Sequence, residues 1–525
     1  MSPEKENKPS TEVFAVHGAD PEVQAYAMAK YSRSSLSMKE SLRELDGQKA
    51  EQFLNTFYFQ YGHRSIADLA HVAMAVERLS LLAAIELVDE QRWDGQERST
   101  RYQNFKKSGF YTPEFGNSSV AASTKADYEE TARFLFKEYE AFSDLMFKHL
   151  CAKTPKPAEM DQGQYDRTLR ARAFDIARYL LPLATNTSLG QIVNSRTLET
   201  QVSRLLADAH GEVRQLGESL KLAARTPAFD VGHHRMEKVL ADVRAVSEEL
   251  ALKIAPELLR EVKVSPTLVK YAEPNKYEME SRRELAQAAA ELMKNAAIEK
   301  APAVTLIPET KANGDTLEIE IASTLLYAHC HYPYVQVRAM VESMGAAKRG
   351  ELLALGTKHR GRHDELPRAY CAGQRFRFDI LMDIGGFRDM HRHRRCVQVM
   401  QGYTTAHGYD VPGDITAAGE EPRYHATMKC ASDAIAKLQG KNDGVTEAHE
   451  NADYLLPLAY RRRCLFGMDL AEAVYISELR TTPAGHWSHR EVAYAMYEEV
   501  VKRHSGLKHL FRVTDVREPV DLLKR

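Results

Sequence analysis

One octapeptide occurs twice in this chain. "ARYLLPLA" spans 177–184 and "ADYLLPLA" spans 452–459, with seven of eight residues matching, the proline included. Such self-similarity across a long separation points to two units built alike. The flanks repeat in kind. An arginine on a predicted helix follows each segment, Arg204 after the first and Arg480 after the second. A polar, arginine-containing stretch precedes each: "QERSTRY" at 96–102 and "HRHRRC" at 391–396. The length of 525 residues agrees, since it exceeds one ordinary core.

Charge narrows the function classes. Lys and Arg number 71 against 73 Asp and Glu, a net charge of −2. Nothing global marks a nucleic-acid or membrane surface, so any anion site is a local basic pocket. The opening "MSPEKENKPS" is charged and reads as a frayed tail, not a leader. No apolar run is long enough for a membrane span. The six cysteines form no C-x-x-C, which argues against a zinc knuckle or a disulfide framework. The expectation is a soluble cytoplasmic protein with a small-molecule partner and neither nucleic acid nor membrane.

Periodicity predicts a helix-rich α+β fold. Tyr128, Ala132, Leu135, Tyr139, Phe142 and Met146 align one helical face. Val239, Val243, Val246, Leu250 and Ile254 do the same, with Pro256 where that helix would end or kink. "LEIEIA" at 317–322 and "FRFDI" at 376–380 alternate like strands. "VKVSPTLVKYAEPNKY" at 262–277 has no clear period and reads as the end of a connecting region. The expected domains are 12–225, a helical linker over 226–300, and 301–515.

Two stretches carry chemistry. In an extended loop, Glu97, Ser99 and Arg101 of "QERSTRY" would share one side. Arginine donates two parallel bonds to a phosphate, and Ser with backbone N–H groups completes an anion cradle. Taken alone, the stretch also reads as a solvated turn before "YTPEFGN". The second stretch, with His391, Arg392, His393, Arg394 and Arg395, follows a predicted strand and the flexible pair Gly385–Gly386. It suits a nucleotide diphosphate; a solvated basic face and an RNA patch are the alternatives. No carboxylate cluster flanks the histidines, so no metal site is expected.

The joint layout resembles the family of flavin-dependent thymidylate synthases, whose signature has the form R-H-R-x-x-S-x-N-E-x-S-x-R-Y. In the first half, "GHRSIADLAH" at 62–71 resembles the upstream segment, with His63 a flavin or folate contact by that resemblance. Glu97, Ser99, Arg101 and Tyr102 fall in register with the end of the signature. Arg178 matches the R-x-x-L-P arginine, Asn194 and Arg196 the N-x-R pair, and Arg204 the substrate-activating arginine with a one-residue gap. The R-H-R part instead reads Asp89, Glu90, Gln91. The second half inverts this. Arg392, His393 and Arg394 supply R-H-R and Arg480 the activating arginine, while Met400, Gly402 and Thr404 stand where E-x-S-x-R belongs. Asp453 and Asp469 replace the counterparts of Arg178 and Asn194.

The resemblance implies conversion of dUMP to dTMP, with methylenetetrahydrofolate as carbon donor, FAD as redox carrier and NADPH as reductant. It assigns the R-H-R residues, His63, Asn194 and Arg196 to the flavin. It assigns Glu97, Ser99, Arg101, Arg178 and Arg204 to dUMP, and Arg204, Ser99 and Arg480 to catalysis. Family sites form between chains of a homotetramer, so the split signature acquires a physical sense. Two tandem copies would form a pseudo-dimer with one complete site, and two fused chains would pair into a pseudo-tetramer. The mirror site would set Asp89 and Glu90 against Met400 and Thr404, where repulsion of a phosphate costs roughly 1 kcal/mol or more. The alternatives are a diverged flavin or nucleotide binder without this activity, an enzyme of another uracil nucleotide, and an RNA binder using 391–395; balanced charge and the absence of interleaved aromatics argue against the last.

Overall fold

The structure, a computed structural model, describes residues 18–30, 52, 54–55, 64–101, 103–106, 108–116, 118–276, 279, 302–307, 316–327, 334–357, 366, 370, 376–440 and 448–523. The first part of the chain runs helix α1 (Pro21–Lys30), strand β1 (His71–Ser80), α2 (Leu81–Leu87), β2 (Asp94–Glu97), α3 (Ser119–Lys153), α4 (Gln162–Ala177), β3 (Asn186–Asn194) and α5 (Ser195–Leu206). Then follow α6 (Gly211–Arg225), α7 (His233–Val246) and α8 (Glu248–Leu258). The later part holds β4 (Val304–Leu306), α9 (Thr316–Tyr327), β5 (Phe376–Asp383), α10 (Ile384–Met390), β6 (Val397–Met400), α11 (Glu421–Gln439), β7 (Arg461–Met468), α12 (Leu470–Arg480) and α13 (Trp487–Arg503). Two small sheets result, ordered β1-β3-β2 and β4-β5-β7-β6. The fold is helix-rich α+β.

Contacts divide the chain into two compact units, one of residues 1–74, 191–208 and 213–281, the other of 75–190, 209–212 and 282–525. In the first unit, Ala25, Leu54, Ile66, Ala67, Ala70 and Leu268 form a buried cluster. The irregular segment after α8 is tied down by a buried carboxylate. Glu22 accepts from the backbone N–H of Thr267 at 2.9 Å and of Leu268 at 2.7 Å. Ser265 bonds the Ser195 hydroxyl at the start of α5, 2.8 Å away.

In the second unit, the two Leu-Leu-Pro segments pair with each other, antiparallel, at Pro182 and Pro457. Leu183 N donates to Leu456 O at 3.0 Å, and Leu458 N donates to Leu181 O at 3.0 Å. The prolines occupy a non-hydrogen-bonded pair, where a missing N–H costs nothing. Around this centre, bonds have counterparts. Leu81 N donates to Thr185 O, and Ile384 N to Tyr460 O, each at 2.9 Å. Asn186 N reaches Gly109 O at 3.1 Å, and Arg461 N reaches Gly408 O at 3.0 Å. Gly109 and Gly408 hold φ of +70° and +68°, a conformation other residues rarely adopt. Ser80 and Asp383 cap the helices α2 and α10, as Asn194 and Asp469 cap α5 and α12. Between them, Arg423 of α11 pairs with Glu138 of α3 at 2.8 Å.

Four readings of the sequence need correction. "LEIEIA" lies in α9, not a strand. Leu317 and Ile321 share a buried helical face, and the run continues through "STLLY" with no Gly or Pro to stop it. Six residues are too few to separate a period of 2 from one of 3.6. The apolar row 239–254 is broken at Ser247, which turns extended at φ −154° and caps α8, while Val246 is 87% exposed. Pro256 sits inside α8, in the turn that ends at Leu258. Gly385 and Gly386 begin α10 and are not a flexible hinge. A Cβ on Gly386 would lie 2.6 Å from the Ser488 hydroxyl, so the close approach requires glycine. The fourth concerns "QERSTRY".

Candidate active site

That stretch is not extended past Glu97. β2 ends there and the chain turns, with the Ser99 hydroxyl accepting the Arg101 N–H at 3.2 Å. A serine one position from a turn satisfies its own backbone in this way. Arg98 fastens the turn by lying over the Phe105 ring at 4.2 Å and donating to Gln103 and Ser108, each at 2.9 Å. Glu97, Thr100 and Arg101 therefore enter one polar cluster.

Arg101 grips Asp175 with Nε and Nη2, at 3.0 and 2.9 Å, and donates to Ala484 O at 3.1 Å. Asp175 lies one helical turn before Arg178, whose Nε is 3.3 Å from the same carboxylate. Burial alone would raise the Asp175 carboxyl. The neighbouring His486, Arg178 and Arg101 hold it well below the ordinary range instead. Arg178 then donates to the Thr100 hydroxyl at 3.3 Å. Arg388, from the last turn of α10, donates to that same hydroxyl at 3.3 Å and pairs with Glu97. Arg392 lies 3.7 Å from the other Glu97 oxygen.

The residues of the basic stretch take distinct partners, which explains why they do not form a solvated face. His391 meets Gln398 at 2.8 Å and Asp89 at 3.8 Å. His393 lies 3.4 Å from Glu472 and accepts from Arg480 Nε at 2.9 Å. Arg394 donates to the carbonyls of Val88 and Glu90 and covers the Trp93 ring at 4.8 Å. Arg395 pairs with Asp469 at 3.0 Å. Asp389 sits beside His489 at 3.4 Å and Arg480 at 4.0 Å. Burial lowers His391, His393 and His489, so all three are neutral at neutral pH. A cavity of about 370 Å³ opens here, lined by Arg392, Arg394, Arg395, Glu472, Tyr475 and Arg480 among others.

The residues predicted from sequence thus divide. Glu97, Arg101, Arg178, Arg392, His393 and Arg480 join one network of ion pairs and hydrogen bonds. Ser99 is committed to its turn, and Arg394 points to residues 88–93. Asn194 caps α5 through Thr197 N at 2.8 Å, Arg196 pairs with Asp68 at 3.1 Å, and Arg204 ends α5, all in the first unit. His63 and Tyr102 lie outside the described residues. Sequence reasoning missed Thr100, Asp175, Arg388, Asp389, Glu472 and His486. Only Asp175 had a local signal, its i, i+3 spacing to Arg178.

Arg462 lies over the Tyr403 ring at 4.2 Å and the Phe387 ring at 5.5 Å, and donates to Gln401 O at 2.8 Å. Asp453, in place of an arginine, meets His210 at 3.4 Å, and Glu86 meets the Tyr403 hydroxyl at 3.4 Å.

Residues 15–226 and 372–504 match the family model described as "Thymidylate synthase complementing protein". A "UPF0159 protein" of Chlamydia muridarum is 27% identical over 96% of this chain and 92% of its own length. A "Flavin-dependent thymidylate synthase" of Clostridium tetani is 24% identical over 38% of this chain and 76% of its own. Among solved structures, a flavin-dependent thymidylate synthase from Helicobacter pylori complexed with FAD and dUMP aligns with 40% of this chain and 100% of its own, at 15% identity and a TM-score of 0.29.

Proposed function

Because this chain belongs to the thymidylate synthase complementing protein family, the flavin-dependent thymidylate synthases, we propose that it methylates dUMP to dTMP at a single site shared by its two halves. Methylenetetrahydrofolate is the carbon donor, FAD the redox carrier and NADPH the reductant. The observation that carries this reading is the meeting of the two half-signatures: Glu97 of the first lies against Arg388 and Arg392 of the second. The matched hydrogen bonds around Pro182 and Pro457 support two tandem copies arranged as a pseudo-dimer. Two such chains would pair into a pseudo-tetramer in the cytoplasm; among the described residues no helix is long and apolar enough to cross a membrane.

The roles follow from charge and geometry. Arg101 and Arg178, both held on Asp175, are offered to the nucleotide phosphate, which replaces carboxylate in the guanidinium forks. Glu97 and Ser99 take the sugar side. Arg480 is assigned to favour ionisation of the uracil N3, with Arg204 its sequence counterpart in the first half. The cavity beside Arg392 is the place we assign to the flavin diphosphate, since Arg392, Arg394, Arg395, Arg480 and Tyr475 are among its lining residues. When bound, the flavin carries reducing equivalents from NADPH.

A second reading is favoured by one observation: neither half keeps the whole signature, since Asp89–Gln91 replace R-H-R and Met400 and Thr404 replace Glu and Arg. It is a flavin and nucleotide binder without turnover, or an enzyme of another uracil nucleotide. The test is tritium release from dUMP labelled at C5, with folate and NADPH supplied to the purified, flavin-loaded chain. Release supports the first reading; bound flavin and dUMP without release support the second.

A further inference from the structure

His393 is buried, and both of its ring nitrogens are engaged. Arg480 Nε donates to its Nε2 at 2.9 Å. A guanidinium has no lone pair to offer, so Nε2 carries no proton and accepts. The ring proton is left on Nδ1, which faces Glu472 Oε1 at 3.4 Å. Glu472 is itself fixed, 5% exposed and in the first turn of α12, its N–H bonded to Asp469 at 2.9 Å. Carboxylate, imidazole and guanidinium form a line that uses the Nε of Arg480 and leaves its terminal fork pointed elsewhere.

We propose that Glu472 is a positioning residue: through the tautomer of His393 it sets the orientation in which Arg480 meets the substrate. This rests on the reading that Arg480 acts on the uracil ring. The physical reason is exclusion. An imidazole protonated at Nε2 would turn an N–H toward the Arg480 N–H, and an imidazolium would add charge repulsion. Glu472 opposes the first by accepting from Nδ1; burial and the Arg480 charge oppose the second. The charged groups facing His393 are Glu472 and Arg480 of α12 and Asp389 of α10, with Arg392 and Arg394 adjacent in its own segment; Tyr475 presents its ring edge at 5.8 Å.

The test uses the full chain with flavin bound, as Glu472→Gln and Glu472→Asp. In Glu472→Gln, kcat per bound flavin falls about 10- to 100-fold while dUMP affinity stays within about twofold. Removing the carboxylate also makes His393 harder to protonate, so the acid limb of the kcat profile moves to lower pH. Glu472→Asp restores part of the rate. Nitrogen-15 NMR of labelled histidine in the free protein reads the tautomer independently of activity. Wild type should show His393 protonated at Nδ1, and Glu472→Gln a mixture. A Glu472→Gln enzyme with unchanged kcat and acid limb overturns the proposal, as does a wild-type His393 protonated at Nε2. A wild type that never turns over dUMP, yet shows the Nδ1 tautomer, overturns the thymidylate synthase reading instead.

Discussion

The carboxylate of Glu97 lies 3.7 Å from the guanidinium of Arg392, and its other oxygen pairs with Arg388. Glu97 belongs to the first half of the chain and both arginines to the second. On the proposed reading, the pairing joins a nucleotide loop from one half to a basic flavin segment from the other.

The two arginine groups should separate by ligand. Arg101→Ala removes the bidentate partner of Asp175 at the phosphate position and should weaken dUMP binding at least about tenfold, with flavin content unchanged. Arg394→Ala should do the reverse, releasing flavin while dUMP affinity holds. Flavin absorbance per chain and calorimetric titration with dUMP check both. If neither variant loses either ligand, the composite site is wrong.

Burial makes the Glu97–Arg388 pair costly to break. Burial lowers Arg388 despite the nearby Glu97 charge. Glu97→Ala strands this guanidinium and should destabilise the chain by about 3–5 kcal/mol in urea unfolding. Replacing both residues by apolar ones of similar size should recover much of the loss.

Asp383 gives a pH signature of its own. Burial, then the charge of Asp410, pushes its carboxyl up from 3.8 to about 6, although it caps α10 and bonds Ser488. The folded state therefore holds this proton where the unfolded chain has released it. The sign follows: between pH about 4 and about 6 the group's contribution to stability declines as pH rises, by roughly 2–3 kcal/mol in all. Asparagine keeps the cap without titrating. Asp383→Asn should gain stability relative to wild type across that window, read by chemical denaturation at each pH. A constant difference between the two proteins would contradict the assignment.

Much of this was legible in the residues, for reasons that differ. The Leu-Leu-Pro repeat was visible in the sequence, and its two prolines meet across a bridge. The partnership of Asp175 with Arg101, 74 residues away, was not, nor that of Arg388 with Glu97, because such pairs are made by topology and leave no spacing in the sequence. The extended reading of the stretch around Ser99 failed since alternation assumes an extended chain, and a serine beside a turn satisfies its own backbone first. "LEIEIA" failed for the same class of reason: a short window fits two periods.

Counting binding sites tests the central claim most directly. Titration of dUMP into the flavin-loaded chain, followed by calorimetry, should give one nucleotide per chain, lost on substitution of Arg101. Two equivalent sites per chain, or none, would contradict it.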